Sequence, residues 1–319
     1  MVRIGALTGL AVCLMNAPTP AADVTGYSLI KGHFLNQPGP DELVNDPLFG
    51  FSALGGVDLA DLNLLESAEL RLPEGVSVKL DDFGDSWSLL ESFQTQAELD
   101  DAYQWGDYIV SFRSKAEGPH ACLLELPETP LPPTARLVNF GDVQSINPSL
   151  PLTLTWAFDS APAKNDFVQV YVTLGHSDIF STPNLGEPGA LTIEDRTVTI
   201  PAGTLVPGYI HSLNLEITRL TSTNAECYPD VQGFAAVFRS TSVDLFVKTP
   251  PLLRLLARPI TGWPELEVVG DPDGAVVLQG SLDFKVWSNI ATNTSETGTN
   301  MFQLPKGTEA QRIFRAVQH

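Results

Sequence analysis

Basic side chains are scarce in this chain. Lys and Arg number 18 against 38 Asp and Glu, a formal net charge of −20 over 319 residues. Phosphates need Lys or Arg to neutralise them, and no basic stripe exists, so nucleic acid is not an expected partner. Histidine is sparse and badly spaced for metal: among His33, His120, His176, His211 and His319 no two stand at i, i+2 or i, i+4, which removes the usual zinc patterns. No Gly-rich phosphate loop follows a strand. Gly175-His176-Ser177-Asp178 opens like a nucleophile elbow, but Ile179 stands where the second Gly belongs, and the elbow needs an α/β sheet. No run of about 20 apolar residues follows the N-terminal segment, so no membrane span is expected once that segment is removed.

That segment has the form of a signal peptide. Arg3 supplies the positive start, residues 4–15 a short apolar run, and Ala17, Ala21 and Ala22 the small residues, which puts cleavage near Ala21. Cys13 sits in a poor lipoprotein box, because Val12 is bulky where a small residue is wanted. Export leaves two cysteines, Cys122 and Cys227. An oxidising compartment permits a bridge between them, which would close a loop of roughly 100 residues and stabilise by about 4–5 kcal/mol. Two free thiols are the alternative, and the sequence leaves the choice open.

Hydrophobic residues make up 43% of the chain, enough for packed cores, and Gly and Pro at 25 each supply many turns. Pro-rich stretches at 127–133 and 249–251 divide the chain into a signal segment 1–22 and modules 23–130, 131–249 and 250–319. The expected fold is mainly β: tandem antiparallel β-sandwich-like modules, with one short helix in the first. That helix is predicted over 96–104, because Thr95 and Glu98 have capping-box spacing and Gly106 closes it, with Leu99, Ala102 and Tyr103 as its buried stripe. In the middle region, large apolar residues take every second position at 152–158, 168–174, 213–217 and 243–247. Such alternation means sheets buried on one face, and two such sheets must cover each other.

Trp156 on an early strand, followed by Leu205-Val206-Pro207-Gly208-Tyr209 entering a later one, resembles the fibronectin type III and immunoglobulin-like sandwiches. The resemblance implies a buried Trp156 and a corner at which the Tyr209 hydroxyl returns to the backbone upstream. It implies architecture without an activity. Residues 277–283, Trp287 and 312–316 resemble a small C-terminal β module found at the ends of secreted bacterial proteins, which implies export or surface display.

Three kinds of site are candidates. Calcium, a hard cation, suits oxygen ligands, and Asp81, Asp82 and Asp85, or Asp271 and Asp273, are the acidic turns that could offer them. Trp87, Trp105 and Trp263 flank turns and could stack on sugar rings of an extracellular glycan or contact a surface protein. Tyr171 and Phe246 lie on outward faces. A secreted polysaccharide hydrolase would need two carboxylates across a cleft, and the sequence singles out no pair. The reading that fits best is an exported, non-enzymatic protein with a structural, adhesive or ligand-binding role. A hydrolase with dispersed carboxylates in the first module and a calcium-dependent binding module are the alternatives.

Overall fold

The computed structural model describes residues 23–228, 231–249, 252–255, 265–270, 274–303 and 313–318. The signal segment, Trp263, Asp271 and Asp273 lie outside the described residues. Strands β1 (Val24–Gly39), β2 (Glu42–Asn45), β3 (Phe51–Leu59), β4 (Leu65–Arg71), β5 (Ser77–Lys79), β6 (Asp81–Asp82) and β7 (Ser86–Phe93) precede helix α1 (Gln96–Ala102), and β8 (Gly106–Ser114) and β9 (Gly118–Leu126) follow it. Next come β10 (Ala135–Leu137), β11 (Leu152–Phe158), β12 (Asp166–Leu174), β13 (Ser177–Ser181), β14 (Thr197–Ile200), β15 (Ile210–Tyr228) and β16 (Val231–Phe246). The C-terminal strands are β17 (Leu252–Leu255), β18 (Glu265–Val269), β19 (Ala275–Ser281), β20 (Ser288–Thr294), β21 (Thr299–Gln303) and β22 (Ile313–Gln318). The fold is mainly β, in several separate sheets.

Two compact units are present. The first holds the described residues of Met1–Asp142, Thr153–Ile200 and His211–Leu245. Its spine is a nine-stranded sheet in the order β13-β12-β15-β16-β1-β3-β7-β6, with β2 paired to β1. One face of this sheet meets the sheet β5-β4-β8-β9 through Tyr27, Leu29, Ala53, Val57 and Trp87 on one side and Leu70, Tyr108, Val110, Phe112 and Leu124 on the other. Farther along the spine, Val168, Val170 and Val172 stand opposite Ile217, Leu215 and Leu213, all buried. The sheet β10-β11-β14 is tied to the spine by the Gln37 side chain, which donates to the Leu137 carbonyl at 3.0 Å and accepts the Leu137 N–H at 2.9 Å. Trp156, on β11, is buried, as the fibronectin-like resemblance implies.

Strands from either side of the Pro-rich stretch therefore share one sheet. β1 pairs with β16 in parallel from Tyr27↔Gly233 to Asn36↔Ser242. The stretch itself is no free spacer: Pro132 and Pro133 are buried, and Leu131 packs against the first core. The two glycines in this pairing are required by close approach. A Cβ on Gly32 would enter the ring of Phe238, and one on Gly233 would enter the ring of Tyr27, each its direct cross-strand partner. Ring over glycine is how a strand accepts a residue with nothing of its own to pack. The opposite face of the same strands carries a second apolar cluster of Ile30, Leu54, Phe234, Ala236 and Phe238.

Helix α1 forms through the capping box. The Glu98 N–H donates to Thr95 Oγ1 at 3.2 Å, and the Glu98 carboxylate accepts the Thr95 N–H at 3.0 Å. It ends at Ala102, two residues before the expected end, and Leu99 and Tyr103 are buried as the stripe requires. The tyrosine corner is a correction. Tyr209 is 57% exposed. The corner belongs to Tyr108, fully buried, whose hydroxyl donates to the Gln104 carbonyl at 2.5 Å.

The second unit holds Val143–Leu152, Pro201–Ile210 and the described residues of Phe246–His319. Its first parts are joined by the Ile146 N–H to the Phe246 carbonyl at 2.8 Å and the Gly208 N–H to the Val247 carbonyl at 3.0 Å. Its C-terminal part is a small sandwich of two three-stranded sheets, β17-β18-β21 and β20-β19-β22. Leu266, Val268, Val276, Leu278 and Phe302 form its core, with Ile290 and Phe314 packed on them.

Candidate functional site

The tryptophans part company once placed. Trp87 is 6% exposed, part of the first core, with no ring face left for a sugar. A turn-flanking position does not decide which way an indole points; Trp87 sits on β7 opposite Val57 and points into the sandwich. Trp105 is half-buried, and the Lys31 ammonium lies 3.7 Å from its ring centroid. One of its faces is thus already occupied by a cation.

The acidic turn Asp81-Asp82-Phe83-Gly84-Asp85 also spends its oxygens locally. Asp81 and Asp82 form the edge strand β6 and are exposed. Asp82 accepts the Gly84 N–H at 2.8 Å, and the Asp85 carboxylate accepts the Ser86 hydroxyl at 3.3 Å. Among the described residues, no group of three His, Cys, Asp or Glu side chains is placed to hold a metal ion.

Cys122, on β9, and Cys227, near the end of β15, are joined with S–S 2.02 Å and Cα–Cα 5.4 Å. Cys227 stands on a strand rather than in a loop, because β15 runs for 19 residues and its far half lies beside β9. Side chains there close the outer edge of β9: Asn224 donates to the Leu123 carbonyl at 2.9 Å, and the Glu125 N–H donates to the Ser222 hydroxyl at 3.1 Å. Such satisfaction of edge groups prevents pairing with a foreign strand.

Two perturbed groups, Lys31 and Glu216, are residues the sequence did not single out. Lys31 is 1% exposed on the inner face of β1. Its ammonium is ion-paired with Asp100 and donates to the Tyr103 carbonyl at 2.8 Å. Burial pushes its pKa down, while the hydrogen bond and charge of Asp100 oppose the fall. Two residues on, His33 stacks on Phe51 with centroids 3.9 Å apart, and its Nε2 is 2.9 Å from Asn45 Oδ1. Burial holds His33 below the usual imidazole range, against the Asn45 bond and with Arg239 adding repulsion. Arg239 is the direct partner of His33 in the pairing and donates to the Thr134 hydroxyl at 3.1 Å. These groups form a polar seam on one face of the β1–β16 pair. The signal that could have located it is Lys31 and His33, two residues apart, inside the largely apolar run 27–35.

Glu216 is the second perturbed group. It lies on β15 opposite Gln169, half-buried, and accepts the Thr218 hydroxyl at 3.1 Å. Burial pushes its carboxyl from 4.5 up to about 7, against the Thr218 bond. The Tyr171 hydroxyl is pushed up by burial and by the Glu216 charge. Tyr171 is thus half-buried rather than fully outward, whereas Phe246 is exposed as expected. Lys31, His33, Arg239 and Glu216 each bond to neighbours inside the sandwiches. The arrangement is mainly one of bracing, although His33 Nδ1 and Arg239 Nε are buried without a hydrogen-bond partner among the described residues.

No family model matches the chain, and no curated protein is similar to it. Among solved structures, a Ca2+-stabilised adhesin with which an Antarctic bacterium binds ice is 10% identical, covering 92% of this chain and 73% of that one, with a TM-score of 0.26. The FN1–FN3 domains of chicken CNTN1 are 9% identical over 91% of this chain and 100% of that one, TM-score 0.20. The ICAM-5 D1–D4 ectodomain fragment is 13% identical over 92% and 76%, TM-score 0.26. Likeness at this level carries no function.

Proposed function

We propose that the chain is exported, loses residues 1–22 by cleavage near Ala21, and serves outside the cell as a non-enzymatic structural or adhesive protein holding a glycan or surface-protein ligand. In this reading residues 23–130, 131–249 and 250–319 are its three modules. The observation that carries it is the parallel pairing of β1 with β16. Tension applied at the two ends of residues 23–249 pulls β1 toward its start and β16 toward its end, along one axis and in opposite senses. The interstrand hydrogen bonds from Tyr27 to Asn36 then lie across the force and must break together in shear. Antiparallel end strands pulled apart would instead open bond by bond. The Cys122–Cys227 bridge, kept oxidised outside the cell, ties β9 to β15 and limits how far an opened chain can extend.

Single-molecule pulling on the full chain tests this. The expected trace has one high-force rupture for the 23–249 region, lowered sharply by Ile30→Pro, which puts a residue without an N–H in the middle of the paired length of β1. Low-force, stepwise opening of the unmodified chain would refute the mechanical reading. Release of reducing sugars from polysaccharides by the purified chain would favour a hydrolase. A melting temperature raised by millimolar calcium would favour a calcium-dependent module.

A further inference from the structure

The turn between β19 and β20 carries three large apolar side chains that face outward. Leu282 is 62% exposed, Phe284 69% and Val286 69%, all within six residues. Single exposed apolar residues are ordinary, but three on one turn are a patch. The turn is held in place. The Asp283 carboxylate accepts the N–H groups of Lys285 at 2.8 Å and Val286 at 3.0 Å, and the Ser281 hydroxyl at 3.1 Å. Phe284 adopts φ +62, a left-handed conformation that costs a bulky residue free energy. The Trp287 indole N–H donates to the Phe284 carbonyl at 3.2 Å, and the Arg315 guanidinium, from β22, lies 4.2 Å from the Trp287 ring centroid.

We infer that this turn inserts into a lipid surface, with Leu282, Phe284 and Val286 entering the headgroup–acyl boundary and Lys285, Arg315 and Trp287 lying at headgroup level. Three observations select lipid over other partners. The Phe284 and Trp287 rings meet at 76°, so they offer no shared plane for a sugar to stack on. The Asp283 carboxylate is consumed by backbone N–H groups and the Ser281 hydroxyl, which leaves no convergent polar set for sugar hydroxyls. An apolar tip with Trp and cationic side chains at its rim has the chemistry of a membrane interface, where cations meet phosphates and indoles sit between water and acyl chains. Charge along the chain agrees. Residues 23–249 carry 31 acidic and 11 basic side chains, whereas residues 250–319 carry 7 and 6, so this region is the one least repelled by lipid phosphates. The inference goes beyond the adhesive reading and does not depend on it.

The test is flotation of the full chain with phosphatidylcholine vesicles, compared with a Leu282→Ser, Phe284→Ser, Val286→Ser variant. Residues 1–22 are common to both, so the difference reports the turn alone. All three positions are exposed, so the variant should melt at the same temperature as the parent, which checks its fold. The expected loss in partitioning is about ten-fold per side chain, hence hundreds-fold or more for the triple variant. Brominated lipid should quench tryptophan emission in the parent, and Trp287→Phe should remove that quenching. Failure of the parent to float, or equal flotation of the variant, overturns the inference. So does an effect of the triple variant on self-association or glycan binding without any on vesicles.

Discussion

Glu216 makes the stability of this protein depend on pH in a direction opposite to that of most carboxylates. Its folded-state pKa is raised from 4.5 to about 7. Below 4.5 the group is protonated in both states and contributes no penalty. As pH rises from 4.5 through about 7, the unfolded chain ionises while the folded one resists, and stability is lost. Moving a carboxyl over that range corresponds to about 3 kcal/mol at alkaline pH, a ceiling because the side chain is only half-buried. Glu216→Gln keeps an oxygen for the Thr218 hydroxyl and removes the ionisation. Urea unfolding at pH 4.5 and pH 8 measures both proteins. The variant should gain up to about 3 kcal/mol on its parent between the two pH values. His33 pulls the other way, since its depressed pKa gives stability that is lost as pH falls below 6.5, but it is common to both proteins and cancels. A variant-to-parent difference that is the same at both pH values would refute the reasoning.

Reduction of Cys122–Cys227, separated by 105 residues in sequence, should lower unfolding free energy by about 4–5 kcal/mol, read from denaturant midpoints with and without reductant. Thr95→Ala should cost about 1 kcal/mol, because the N-cap acceptor of helix α1 disappears, and thermal melts suffice to see it. Lys31→Ala leaves Asp100 without its buried cation and should cost about 3 kcal/mol, and Lys31→Met, which leaves the same carboxylate unpaired, should recover only the packing share; Lys31→Met combined with Asp100→Leu should be far better tolerated, and equal losses in the single and double Met variants would contradict the assignment of the pair.

The middle strands were legible because their large apolar residues alternate, even where polar neighbours such as Gln169 and Thr218 are buried as well. In 168–174 and 213–217 the alternation survives intact in the register Val168↔Ile217, Val170↔Leu215 and Val172↔Leu213. β1 and β3 were not legible for the converse reason. Leu29 belongs to the core on one face of the spine and Ile30 to the cluster on the other, so consecutive residues are both buried and period two vanishes. Helix α1 was readable from two residues, since a capping box is local. Gly106-Asp107-Tyr108 and Pro207-Gly208-Tyr209 are similar in sequence and either could form a tyrosine corner; the resemblance placed it at Tyr209, and the packing of the first sandwich selects Tyr108. The cysteine pairing depended on the length of β15, which carries Cys227 back to β9. The perturbed groups Lys31 and Glu216 lie in strands whose depth only the assembled sheet defines.

Cutting the chain at its Pro-rich stretch would have an awkward consequence. A fragment beginning near residue 131 would keep β16 but lose β1, stripping the partner from ten residues of backbone and uncovering Phe234 and Phe238 along a raw border. Such a border invites a second molecule to fill it, so the fragment should dimerise by strand exchange or precipitate, and adding back a peptide of β1 sequence should rescue it.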